Sequence, residues 1–480
     1  MKRFLLVPLL AAGLAGCHDL DRVAAPAEAG RILSALPPTI DGALATQLLA
    51  ASPTEPLVAI VTFDPAATTS AALAGAVAGL GAEAMHFRHL DMLAVLATPA
   101  QVRTISALRG VRGVYANETE RLLLRESVQS LRADQAWASG YTGRGIGIAI
   151  MDSGIDGNNP DVAFPGKTVA NLKFVARFGD LLDDDGTPRP GGELFVENLA
   201  NTDNTSGHGT HVAGIAAGSG ASTHGAYRGV AHGAHLVGLS VGEGLAIVNV
   251  SVLQATDWLI ENRARYNVQV VNSSWGSNGT FDPDDPINRA MRALYDAGIT
   301  VVFAAGNEGP GENTMNRRSV APWVISVAAG CKRGVMDPSD SQSQCGDGRD
   351  RVLANFSSRG IPGDPMYRPD VTVPGVRIVS TRSGTGVMNA LDATADANVC
   401  NIGIQNLTGY TCASGTSMAA PHVAGVVALM EEATGGRLTP DQALDLLTRT
   451  AIPLPGYGAW EVGAGWVDAH AAVRAAARLK

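Results

Sequence analysis

The sequence predicts an α/β protein: a three-layer, doubly wound, mostly parallel sheet, preceded by a small α+β domain. Three observations carry this. Unbroken apolar runs recur in the later part of the chain, at Ile146–Met151 (IGIAIM), His235–Val241 (HLVGLSV), Val268–Asn272 (VQVVN), Ile299–Ala305 (ITVVFAA) and Val324–Gly330 (VISVAAG). Strands buried on both faces read this way, and the helical stretches between the runs supply the crossovers that parallel strands need. A shorter strand, helix, strand, helix, strand pattern comes first, between Leu57 and Asn117. Finally, 480 residues of which 46% are apolar are enough to fill one large core and one smaller one.

In chain order, MKRFLLVPLLAAGLAGC opens with positive charge and continues into an apolar run too short to cross a bilayer comfortably. Residues 1–16 therefore read as a signal peptide. The ending Leu14-Ala15-Gly16-Cys17 resembles a bacterial lipobox, in which Cys17 becomes the lipidated first residue after cleavage. The alternative is an ordinary secretory signal, and both imply export. Residues 17–50, rich in Ala and Pro and poor in aromatics, read as a tether. The small domain, 51–124, contains strands at Leu57–Phe63, Met92–Thr98 and Val111–Asn117. Helices are expected at Thr69–Leu80 and Pro99–Leu108, where a first-turn proline gives up an N–H with no partner to lose. The large domain takes the rest, 125–480, without visible repeats.

A net charge of −9 offers no basic footprint, which argues against a nucleic-acid partner. Once Cys17 is set aside, Cys331, Cys345, Cys400 and Cys412 remain. Four cysteines in an oxidising compartment allow three pairings; nearest neighbours, Cys331 with Cys345 and Cys400 with Cys412, would staple two loops.

The chemistry concentrates in three segments. GTSMAAPHVAGVVAL, from Gly415, sets Ser417 at the mouth of a small-residue helix, where unpaired backbone N–H groups can hold an oxyanion. HGTHVAGIAAG, from His208, offers an imidazole to take the serine proton and return it to a leaving amine. MDSGID, from Met151, ends an apolar run on Asp152, a carboxylate able to orient that imidazole. The order Asp152, His208, Ser417 excludes an α/β-hydrolase, whose serine comes first within G-x-S-x-G, whereas the second residue after Ser417 is Ala419. A chymotrypsin-like order, beginning with histidine, is excluded too.

All three segments resemble those of the subtilisin-like serine proteases, the subtilases, and the resemblance spans roughly the last three-quarters of the chain. It extends to Phe356–Gly360, Arg368–Thr381 and Val462–Val473. It implies a subtilisin-like fold and a serine endopeptidase working through an acyl-enzyme on protein or peptide substrates. Asn307 in AAGNEG matches the family's oxyanion asparagine, a side-chain NH2 that joins the Ser417 N–H. Ser274-Trp275-Gly276 matches the tripeptide that pairs with an extended substrate and walls its S1 pocket, with Gly242-Glu243-Gly244 as the opposite edge. Ala304, Ala305 and Gly306 together with Trp275 suggest an apolar pocket favouring bulky P1 side chains such as Leu or Phe. Arg317 and Arg318, near where the family closes that pocket, would instead draw in an acidic one.

The resemblance further implies that the small domain is a ferredoxin-like propeptide, an intramolecular inhibitor and chaperone. Its tail, Glu118–Glu126, would lie in the active site until the zymogen cuts itself. Lipidated Cys17 would be the sole membrane contact, holding the precursor at the cell envelope and leaving the mature enzyme free to leave it. The chemistry requires no cofactor. A structural calcium ion stays open, since the family often holds one, but Asp183–Gly186 (DDDG) lacks full ligand spacing and no metal residues are assigned. The alternative from another class is a catalytically silent surface lipoprotein that uses the same groove to bind peptides.

Overall fold

The computed structural model describes residues 37, 39–117, 119–122, 129–175, 195–244, 246–332, 351–390, 400 and 402–480. In the small domain, β1 (Leu57–Phe63), β2 (Glu83–His86), β3 (Met92–Ala97) and β4 (Val111–Ala116) form an antiparallel sheet in the order β2-β3-β1-β4. With the helices Ser70–Gly79 and Pro99–Ser106, the chain order is β-α-β-β-α-β. Alternation sorts the two faces. Ala59, Val61, Leu93 and Val95 join Leu73, Val77, Val102 and Ile105 in one core, while Ile60, Met92 and Ala94 face the large domain.

Two differences from the expected pattern appear here. β2 was not expected, because EAMH is short and has polar residues at both ends. The tether also stops before residue 50: Gly42–Ala50 is a helix, capped by the Asp41 carboxylate, and Leu44 and Leu48 pack into the small-domain core. Its Leu44/Leu48 spacing of four was the available signal within a stretch whose composition suggested a linker.

The strand β5 (Thr119–Leu122) leaves the small domain. The large domain then contributes β6 (Gly147–Asp152), β7 (Thr168–Phe174), β8 (Phe195–Val196), β9 (His235–Ser240), β10 (Gly242–Glu243) and β11 (Ala246–Val248). After these come β12 (Val268–Ser273), β13 (Trp275–Gly276), β14 (Thr300–Ala304), β15 (Ile325–Cys331), β16 (Val352–Leu353), β17 (Val371–Pro374), β18 (Ile378–Thr381) and β19 (Tyr410–Ala413). The main sheet runs β16-β15-β14-β12-β6-β9-β7-β8, with β17 also on β15. Its central pairs are parallel, and the short edges β8 and β16 are antiparallel. The expected strands agree with β6, β9, β12, β14 and β15 to within about a residue. β7 escaped notice because Asn171 and Lys173 interrupt its apolar run.

Two helices matter most for the site. His208–Ala217 and Thr416–Thr434 pack together on one face of the sheet, and almost every residue of the second is buried, as expected of a helix apolar on all sides. Near its end Glu431 is wholly buried, and burial pushes its carboxyl up to about 7. Its folded value exceeds the unfolded one, so the folded state holds the extra proton between about pH 4.5 and pH 7. The cost of the buried charge is therefore absent in acid and grows as pH rises through that window. Glu431→Gln is expected to add stability on the order of 2 kcal/mol at pH 8 and little at pH 4. Calorimetry showing the larger gain at pH 4 would contradict this.

Candidate active site

The carboxyl ends of β6, β9, β12 and β14 converge beside the point where the chain order reverses across the sheet, the usual place for a ligand crevice in such folds. β6 ends on Asp152, which is 0% exposed and lies 2.7 Å from His208 Nδ1 through Oδ1. A carboxylate oxygen can only accept, so this bond is donated by the Nδ1–H of His208. The same Oδ1 accepts the Ser153 N–H at 2.7 Å.

His208 is the first residue of its helix because the chain before it turns through Gly207, whose φ of 88° lies in the left-handed region. Gly209 lets the helix start approach the strand end: a Cβ there would stand 2.2 Å from the Gly154 carbonyl oxygen. The second histidine of the motif, His211, is bound to the carbonyls of Ile378 and Thr411. Burial, reinforced by His208, lowers it to about 3, so it stays neutral and structural.

Ser417 occupies the first turn of Thr416–Thr434, and its hydroxyl donates to the Ser274 carbonyl at 2.7 Å. The Ser274 hydroxyl donates back to the Ser417 carbonyl at 2.8 Å. That carbonyl is available because the residue four further on is Pro421, which has no N–H to complete the helical bond. Asn272 steadies the pair by donating to Ser274 Oγ at 2.8 Å. Asn307 Oδ1 accepts from Thr416 N and Oγ1 at 2.9 and 2.8 Å, which directs its amide NH2 away from Thr416.

Along the crevice, β5 lies between β11 and β13 and is antiparallel to both; Leu122 is opposite Trp275 and Arg121 is opposite Gly276. Trp275 and Gly276, which follow Ser274, thus pair with an extended segment of the chain itself. The opposite edge differs from expectation: Ala246–Val248 makes it, and Gly242–Glu243 pairs one strand further out. Gly244, at φ 60°, lies in the turn that brings β11 inward of β10.

Trp275 also differs. Its indole is fully buried, edge-on to Phe303, and donates to the Met151 carbonyl at 2.7 Å, so the side chain is interior structure and leaves only the backbone of Trp275 to form a wall. Arg318, considered for an acidic P1 residue, is buried and paired with Asp285, the cap of helix Pro286–Asp296. Arg317 Nε reaches Ser277 Oγ. A residue that sequence reasoning passed over stands between the two expected pocket walls. Asn316 donates through Nδ2 to the carbonyls of Trp275 and Ala304 at 3.0 and 2.9 Å, while its own N–H reaches the Ala305 carbonyl at 2.7 Å. A solitary asparagine in a loop carries no signal of that kind. Gly306 meets it from the β14 side: a Cβ there would be 3.2 Å from Asn316 N.

Cys400 and Cys412 are joined, their Cα atoms 6.3 Å apart, as the nearest-neighbour pairing expects. Cys331 is disulfide-bonded as well; its expected partner, Cys345, lies outside the described residues. So do the expected signal peptide, Cys17, most of Glu118–Glu126 and the DDDG run. Among the described residues no helix is long and apolar enough to cross a membrane, and no group of three His, Cys, Asp or Glu side chains could hold a metal ion.

Residues 143–470 match the subtilase family. The serine protease AprX of Bacillus subtilis (strain 168) is 29% identical over 409 residues, covering 81% of this chain and 80% of that protein. An extracellular protease of Xanthomonas campestris pv. campestris is 31% identical over 359 residues, which cover 70% of this chain and 52% of the relative. Among solved structures, fervidolysin from Fervidobacterium pennivorans, described as a keratinolytic enzyme related to subtilisin, shares the fold with a TM-score of 0.61 at 23% identity. The likeness covers 87% of this chain and 61% of fervidolysin.

Proposed function

From the premise that this chain belongs to the subtilase family of serine proteases, we propose that it is an exported serine endopeptidase made as a self-cleaving zymogen, with Asp152, His208 and Ser417 as its triad. The observation that supports this reading is the buried 2.7 Å Asp152–His208 bond. It lies at the strand ends toward which the N-terminus of the Ser417 helix also points.

In the proposed reaction, the Ser417 hydroxyl exchanges the Ser274 carbonyl for His208 Nε2 as substrate settles. Oγ attacks the scissile carbonyl carbon while its proton passes to Nε2, and Asp152 stabilises the imidazolium through Nδ1. The tetrahedral oxyanion takes the Ser417 N–H and the Asn307 amide. Collapse breaks the C–N bond, the leaving amine takes the proton from His208, and water repeats the sequence to free the acid.

β5 is the proposed inhibitory tail, seated by main-chain pairing as a substrate strand would be. The small domain is anchored behind it. Asn117 Oδ1 accepts the Val250 N–H near the start of helix Asn249–Asn262, and the Asp257 carboxylate further along accepts the N–H groups of Arg88 and His89. Arg88 also pairs with Glu261 at 2.9 Å.

Asn316 reverses the expected preference for bulky P1 side chains such as Leu or Phe. Because its amide spans carbonyls on both proposed walls, the pocket is apolar but shallow, so small P1 residues such as Ala should be cut better than Phe. Cleavage of a peptide library, read by mass spectrometry, tests this. Asn316→Gly is expected to improve Phe over Ala at P1 by about tenfold or more. A wild type that prefers Phe or Asp, or an unchanged ratio in the variant, would refute the shallow pocket.

A further inference from the structure

Between the strand end that carries Asp152 and the helix start that carries His208 lies a second carboxylate, Asp203. It is 0% exposed; the cation that feels its charge is Lys173, whose ammonium is bonded to Ser240 Oγ and the Gly242 carbonyl. Burial pushes its carboxyl up, and four hydrogen bonds oppose that shift. Oδ1 accepts the Ser153 hydroxyl at 2.9 Å and the Gly207 N–H at 2.8 Å. Oδ2 accepts the Thr210 N–H at 2.9 Å and its hydroxyl at 2.6 Å.

The two hydroxyl protons have little choice of direction. Ser153 Oγ already accepts the Gly209 N–H at 2.8 Å, and Thr210 Oγ1 accepts the Asp156 N–H at 2.9 Å. Each hydroxyl is therefore left to donate, and each donates to Asp203. All four positions around the carboxylate are donors, which suits an acceptor-only ionised group and no other side chain of that size.

The residues held in this way flank the candidate pair on both sides. Ser153 follows Asp152 and gives it an N–H; Gly207 and Gly209 enclose His208, and Thr210 is two residues beyond it. An ordinary N-cap ties down its own helix alone. Asp203 ties the helix start to the neighbouring strand end as well.

We propose that Asp203 is a positioning residue for the proton transfer: one carboxylate that sets the Asp152–His208 geometry by holding both backbones on its two oxygens. This rests on the triad reading above. Asp203→Asn keeps the shape but turns an NH2 toward two of the four donors. Ser153→Ala is milder, since it removes only the link between Asp203 and the Gly209 N–H.

The test measures kcat and KM on a chromogenic peptide with the enzyme released when the full-length chain processes itself, normalised to active sites counted by titration. Asp203→Asn should lower kcat by about 10², and Ser153→Ala by about 10-fold, the size expected for a displacement near 1 Å. KM should stay within about twofold in both, because the groove strands are untouched. The ring N–H resonance of His208, expected downfield in wild type because Nδ1 lies 2.7 Å from a carboxylate oxygen, should move upfield in both variants. Should Asp203→Asn not fold, Ser153→Ala carries the test alone. A wild-type kcat in Ser153→Ala, or a kcat loss matched by an equal rise in KM with an unmoved resonance, overturns the proposal. A wild type that cleaves nothing instead defeats the triad reading on which it stands.

Discussion

Ser417→Ala is expected to lower kcat by about 10⁶, the loss that removing the nucleophile causes in subtilisin, and to leave the chain uncut. The two effects belong together if the first bond broken is the chain's own, between about Glu118 and Ser127. Residues 1–16, read above as a signal peptide, resemble one that would place a lipid on Cys17, on the far side of that bond from Asp152. Self-cleavage then leaves the anchor with the small domain, and the large domain is held noncovalently, through β5, the contacts of Asp257 and Val250, the Arg88–Glu261 pair and the sheet face that carries Ile60, Met92 and Ala94. Fractionated cells should show the variant at full length in the membrane. The wild type should yield a soluble fragment that begins within this stretch. An uncut wild type with full activity at the membrane would contradict the release, as would a variant processed at the same bond without another protease.

Asn307→Ala is expected to cost about 10²–10³ in kcat, with KM little changed, since it removes a donor used only once charge has developed on the oxygen. The geometry makes this a clean substitution. Asn307 Oδ1 serves Thr416, whose Oγ1 also accepts the Gly306 N–H, so the start of the helix keeps one of its ties when the asparagine side chain is lost. Steady-state kinetics checks it: equal kcat in wild type and variant would remove Asn307 from the oxyanion site.

Which parts of this molecule could be read from sequence follows from where the information lies. Asp152, His208 and Ser417 each sit in a local motif whose neighbours explain their position: an apolar run that stops at a carboxylate, a glycine on either side of a histidine, a serine before small helical residues. The strands of the main sheet were legible because burial on both faces keeps their runs mostly apolar, with isolated polar residues such as Gln269 and Ser326. Asp203 and Asn316 were not legible, because their partners are distant in sequence or are main-chain atoms. The Asp203 to Ser153 bond spans 50 residues, and Asn316 reaches Trp275 across 41. Trp275 misled for a related reason. A strand position next to a groove does not reveal which way a large side chain turns, and this indole turns inward to Met151. The hairpin that brings Ala246–Val248 inward of Gly242–Glu243 depends on a turn through Gly244 that the glycines signal without specifying its direction.

The most direct measurement of the central claim is covalent labelling of the purified, processed protein with a fluorophosphonate, followed by peptide mass spectrometry. The probe reacts with a serine only when a neighbouring base takes its proton, so it reports the working arrangement of the three residues and not merely their presence. The account predicts one label per molecule, on Ser417, abolished in Ser417→Ala and strongly reduced in His208→Ala. A folded, processed protein that stays unlabelled, or one labelled equally well without His208, would contradict it.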